Sequence, residues 1–120
     1  MQWLGPSDTL TTGDGKIVWA VPSDFNGWVI KGVHGHSPTP STSGAITLMV
    51  RRNRAGTDVD VLSTALTLDQ DDDDSKDATT AAVINTSNDD LATGDEIWID
   101  VDGAGTGAKG TFANIKIASS

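Results

Sequence analysis

Thr93-Gly-Asp-Glu-Ile-Trp-Ile-Asp-Val-Asp102 is the stretch from which the fold can be read. Gly94-Asp95 is a turn signal. After it, Ile97, Ile99 and Val101 fall on one side of an extended strand, and Trp98, Asp100 and Asp102 on the other. Such alternation describes a strand with one buried face and one wetter face. A second turn, Gly103-Ala-Gly-Thr-Gly107, follows, and Thr111–Ile117 alternates again through Ala113, Ile115 and Ile117.

The rest of the chain repeats this grammar. Lys16–Val21 carries Ile17, Trp19 and Val21 on one face, and Pro22-Ser-Asp-Phe-Asn-Gly27 breaks it. Trp28–His36 is the next strand, with Trp28, Ile30, Gly32, His34 and His36 expected on one side and Val29 and Val33 on the other. Ala45–Arg52 points Ile46, Leu48 and Val50 inward. Val59–Leu68 holds two short apolar pieces, and Ala78–Ile84 is a weaker strand. Asn85–Leu91 is a turn with capping residues for one helical turn, and Trp19 and Trp28 belong to the core or to the sandwich edge. The spacing of turns predicts an all-β fold, an antiparallel β-sandwich of about seven or eight strands. Residues 14–120 form this single domain, and residues 1–13 form an extended N-terminal arm. The core is expected to begin at Lys16 and to stand without the arm.

Composition narrows the function. The 120 residues suit one domain with one modest core. Cysteine is absent, so packing or association must supply the stability. Sixteen of the 17 acidic residues are Asp, a residue of turns and caps, and the net charge of -9 disfavours nucleic acid and anionic membranes as partners. No basic or apolar segment of signal-peptide or membrane-spanning type is present, so synthesis in the cytoplasm is expected.

Several motifs invite a functional reading. Gly105-Thr-Gly-Ala-Lys-Gly110 matches a dinucleotide fingerprint, but a strand pattern follows where the phosphate-binding helix is required. Asp69, Asp71 and Asp73 have calcium-loop spacing, yet Asp74 and Thr80 occupy the positions that need Gly and Glu. The run Asp69–Asp77 is therefore expected to be a solvated charged loop. His34 and His36 share a strand face, as metal ligands do, but the pattern supplies no third ligand. Many Asp residues offer carboxylate pairs and none is singled out, and no nucleophile-elbow motif frames a serine. The reading is non-enzymatic, with no cofactor and no metal.

Partner contacts are a different matter. Trp3 and Leu4 beside Pro6 suit a docking arm, since Trp is a frequent interface anchor. Trp98 lies opposite Ile97 and Ile99, where it can stack on a sugar or anchor a subunit. Arg51, Arg52 and Arg54 are the one basic cluster. They serve either charge balance against neighbouring Asp residues or an interface.

Several stretches together carry a family likeness: Gly13-Asp-Gly-Lys-Ile-Val-Trp-Ala-Val-Pro22 with Asn26-Gly-Trp28; Val61-Leu-Ser-Thr64; Val83-Ile-Asn-Thr-Ser-Asn-Asp-Asp-Leu-Ala-Thr-Gly-Asp95; and Ile99-Asp-Val-Asp102 leading to Lys109-Gly110. Across about Gly13 to Ile117 the chain resembles a group of small structural proteins of tailed bacteriophages. The resemblance implies a jelly-roll-like sandwich and a place in the virion, with no catalytic residues. It points to a capsid decoration (cement) protein whose partners are the major capsid protein or other virion proteins. A homo-oligomer is expected, a trimer first. The alternative is a carbohydrate- or receptor-binding module of a phage tail or fibre; a hydrolase ranks third.

Overall fold

A computed structural model describes residues 1–119; Ser120, the last residue of the expected domain, lies outside the described residues. Among the described residues nine strands run in chain order: β1 Gly13–Ala20, β2 Val29–His36, β3 Ile46–Arg54, β4 Thr57–Asp60, β5 Leu62–Thr64, β6 Leu66–Leu68, β7 Val83–Ile84, β8 Glu96–Ala104 and β9 Phe112–Ala118. The main sheet has the order β1-β8-β3-β4, with β6 also paired to β3; β2 pairs with β9, and β5 with β7. Every pairing is antiparallel. The fold is an antiparallel β-sandwich.

The opening stretch is the centre of the main sheet. β8 pairs on one side with β1 (Ile17 opposite Ile99) and on the other with β3 (Val50 opposite Ile99). Ile97, Ile99 and Val101 are buried, as are Ile46, Leu48 and Val50 beside them and Leu66 and Leu68 on β6. Ile30 and Ala113 cover this inner face from the β2–β9 layer, with Val33, Ile115 and Ile117 partly buried around them. At Gly35 the layers come so close that an added Cβ would lie 2.9 Å from Leu68 Cδ1. Trp19, Phe25 and Trp28 close one end. Phe25 meets Trp28 edge-on at 4.8 Å and Trp19 at 5.9 Å.

Three local expectations fail for identifiable reasons. A register shift between Ile30 and Gly32 puts a bulge at Lys31, so Ile30 is buried while His34 turns outward. The even positions of Trp28–His36 therefore do not share one face, because a bulge inverts the alternation beyond it. The segment 85–91 holds no helical turn. Asn85 instead closes a tight turn, its carbonyl accepting from Asn88 N–H and its side chain from Ser87 N–H. The weak strand at Ala78–Ile84 shrinks to Val83–Ile84.

The N-terminal arm is the larger correction. It does not project from the domain. Gln2 forms a bridge with Phe112, Met1 exchanges backbone hydrogen bonds with Ala113, Thr9 forms a bridge with Lys109, and Leu10 N–H donates to Ala108 C=O. The arm thus runs along the edge of the sheet beyond β9. Leu10 is 4% exposed and belongs to the core, and Met1, Trp3 and Leu4 pack against that core. An arm whose backbone is paired and whose leucine is buried is part of the fold, so the core does not begin at Lys16.

Leu10→Ala should therefore lower stability by about 2–3 kcal/mol, from lost burial plus the cavity left behind. Urea unfolding of the two proteins measures this. An unchanged midpoint would mean that the arm contributes nothing to the core.

Candidate functional site

The outer face of the main sheet carries the candidate interaction residues. Arg51 on β3 lies opposite Trp98 on β8, and Trp98 lies opposite Val18 on β1. The Arg51 guanidinium sits 4.2 Å from the centre of the Trp98 ring, a cation–π contact. On the β1 side the ring leaves no room for a side chain. A Cβ on Gly15, whose φ is +61°, would stand 2.5 Å from the ring, so only glycine fits there. Trp98 Nε1–H donates to Glu96 at 3.2 Å. Arg51 also donates from Nε to Asp100 at 2.9 Å and from Nη1 to Asp58 at 2.9 Å, and Asp100 accepts from Gly15 N–H at 2.7 Å. Val18 beside this group is 44% exposed. The result is a platform of mutually bonded side chains with an apolar strip and a rim of carboxylates.

The rim is crowded with like charge. Burial raises the Asp102 carboxyl above its ordinary range, and Asp100, Asp14 and Asp60 push it the same way.

Arg52 and Arg54 turn to a corner of the same sheet. Arg52 is buried. Its Nη1 donates to the carbonyls of Asn88 (3.1 Å) and Asp90 (2.8 Å) and to the Asp90 carboxylate (2.8 Å). Arg54 binds Asp95 in a two-pronged fashion, Nε to Oδ1 at 2.9 Å and Nη2 to Oδ2 at 2.7 Å, and reaches Asp90 at 3.1 Å. Asp95 is 2% exposed and also accepts from Ala92 N–H at 2.9 Å. Burial alone would raise the Asp95 carboxyl; the bonds from Arg54 and Ala92 outweigh it and hold the group below its ordinary range. All three arginines thus pair with carboxylates of the same chain.

The third group joins residues far apart in sequence. His34 and His36 both reach Asp74: His34 Nε2 lies 2.8 Å from Oδ2 and His36 Nδ1 lies 3.0 Å from the same oxygen. Asp74 comes from the acidic run, which is not wholly solvated. Asp74 is buried, caps the short 3-10 turn Ser75–Asp77 by accepting from Lys76 N–H, and forms a bridge with His36. That backbone hydrogen bond from Lys76, followed by those from the two histidines, holds the Asp74 carboxyl far below its ordinary range. Among the described residues no set of three His, Cys, Asp or Glu side chains is arranged to hold a metal ion. The three groups form a hydrogen-bonded clasp that ties the loop to β2. The Asp-Ser-Lys-Asp77 segment carried a capping signal, but the spacing of Asp69, Asp71 and Asp73 drew attention to the wrong carboxylates.

Of the expected arm contacts, Trp3 and Leu4 are spent on the chain's own core, and Pro6 is exposed with its backbone beside Gly110. The glycine fingerprint is a turn in which Ser41 Oγ accepts from Thr106 N–H, and β9 follows it, not a helix. Comparison with protein-family models, with curated proteins and with solved structures returns no match.

Two results should follow. Asp74, Asp90 and Asp95 are all held low, so their contribution is present above the ordinary carboxylate range and lost as pH falls below about 4. Arg54→Met should remove roughly 1–3 kcal/mol at pH 7 and flatten this acid decline in a melting-temperature profile. Asp102 has the opposite sign. Its raised carboxyl costs stability once ionised, so Asp102→Asn should raise the melting temperature at pH 7 and change nothing at about pH 3. A pH-independent gain would refute the charge explanation.

Proposed function

We propose that this protein is a non-enzymatic structural component of a tailed-bacteriophage virion, and within it a capsid decoration protein that binds the assembled head as a trimer. The observation that carries the reading is where the resembling stretches lie in the fold. Gly13–Pro22 contains β1, Val61–Thr64 contains β5, Val83–Asp95 contains β7 and the Asp95 turn, and Ile99–Asp102 is the middle of β8. These are the frame of the sandwich, so the likeness falls on residues that build the fold and position its outer face.

The mechanism is mass action. A protein that binds the closed shell and not the free coat subunit shifts the equilibrium toward the shell by RT ln(1 + [L]/Kd), about 2.7 kcal/mol per site at a hundredfold excess over Kd. A platform such as Val18–Trp98–Arg51 suits this task because its side chains are already held by Gly15, Glu96, Asp58 and Asp100 and lose little freedom on docking.

The sugar-binding alternative needs a free aromatic face. The Trp98 ring lies between Gly15 and the Arg51 guanidinium, so a stacked sugar would have to displace Arg51 from two carboxylates. This favours the first reading.

Purified protein added to shells that lack it should co-sediment to saturation and raise the shell's melting temperature, and light scattering should give three copies per particle of free protein. Failure to bind any shell, with glycan binding that is lost in Trp98→Ala, would establish the alternative.

A further inference from the structure

The edge of β9 opposite β2 is half used. Ala113 N–H donates to Met1 C=O at 3.1 Å, and Met1 N donates back to Ala113 C=O. In an antiparallel ladder every second residue turns its N–H and C=O to the same side. Ile115 and Ile117 therefore turn theirs to the side on which Met1 sits. Among the described residues nothing pairs with that edge beyond Ala113.

Beside this edge lies an open apolar cleft of about 390 Å³, lined by Met1, Trp19, Phe25, Asn114, Ile115 and Ile117. The β2–β9 sheet that borders it is only two strands wide, and Trp19 of β1 stands on its far side. Two exposed cations stand on the outer side: Lys116 on β9, and Lys31 at the bulge that faces Lys116 and Ile117.

We propose that the β9 edge from Asn114 to Ala118 receives an extended segment of a partner protein, apolar at alternate positions and acidic where it faces Lys116. The occupied part of the edge sets the geometry. Gln2 stands opposite Phe112, so Met1 stands opposite Ala113 and points inward with it. An incoming strand that continues this line places inward residues opposite Ile115 and Ile117, where they fill the cleft. It places an outward residue opposite Lys116, where opposite charge is favoured. The backbone hydrogen bonds supply affinity, and the cleft and Lys116 supply selectivity. This goes beyond the proposed function by naming a second attachment point, away from the Trp98 platform, and it stands whether or not the neighbour is a phage shell.

The test uses the whole chain and adds a strand before Met1. The extension Val-Asp-Val-Thr, placed directly before Met1 in this register, sets Val opposite Ile115 and Ile117 and Asp opposite Lys116. It should raise the melting temperature by about 3–6 °C and slow amide exchange at Ile115 and Ile117 by at least about tenfold. Gly-Ser-Gly-Ser should do neither, and Val-Lys-Val-Thr should give a smaller rise than Val-Asp-Val-Thr. Unchanged exchange at Ile115 and Ile117 would overturn the proposal. So would slow exchange at both amides in the unextended chain, since the edge would then already be covered. Equal rises from the Asp and Lys extensions would overturn the acidic preference. If shells bind the natural chain, filling the edge should weaken that binding at least about tenfold; undiminished binding would exclude the edge as the shell's attachment point. A chain that binds no shell at all refutes the decoration reading and leaves the exchange result to decide this one.

Discussion

Asp95, through its carboxylate and its backbone carbonyl, joins the three strands on which the main sheet rests. It stands one residue before β8, accepts from Ala92 within its own turn, and is gripped by Arg54 from the end of β3. Its backbone carbonyl accepts from Val21 N–H, just past β1, while Val21 C=O accepts from Gly94 N–H. A carboxylate buried this deeply is tolerable only when fully hydrogen-bonded, and the bonds that satisfy it also set where β8 starts. Because strand side chains alternate, moving β8 by one residue would exchange Ile97, Ile99 and Val101 for Glu96, Trp98 and Asp100 in the core. One ion pair thus excludes a set of wrong registers, a role in specificity that its net contribution to stability would not reveal.

The same alternation divides the protein's charge. β8 puts isoleucine and valine into the core and acidic residues on the outer face, and Arg51 and Arg54 of β3 pair with two enclosed carboxylates, Asp100 and Asp95, while Arg52 pairs with the more exposed Asp90. The net charge of -9 is consequently carried mostly at loops and along the rim of the platform. Asp102 marks where this arrangement is least comfortable, with burial and three like charges acting on it together.

Much of this was legible in the sequence. The period-two pattern located β1, β3, β8 and β9 because each has one buried face, and Gly94-Asp95 marked the turn that begins β8. The reading failed where a single residue breaks the period. Lys31 is an ordinary strand residue, and nothing in its identity announces a bulge that sends His34 outward. It failed again where partners lie far apart in sequence. Asp74 sits 40 residues from His34, and its neighbours in the run are also aspartates, so side-chain chemistry alone could not choose it. The arm's packing was not legible from Trp3 and Leu4, because the burial of Leu10 depends on the distant turn at Gly105–Gly110.

The pairing of Met1 with Ala113 has a consequence for synthesis. The two residues are 112 positions apart, so the arm pairs with a segment synthesised long after it. At about 5–20 residues per second, roughly 5–20 s separate the emergence of the arm from that of β9. Throughout that interval Trp3, Leu4 and Leu10 have no partner strand. β1 likewise waits for β8, to which Ile17 is joined across 82 positions (99 − 17). A chain that must close its first strands against its last ones collapses late, and folding dominated by such distant pairings is slow. The nascent arm is therefore exposed to misassociation until β9 emerges, and a slow codon anywhere between the two would lengthen that exposure, whereas one upstream of the arm would not.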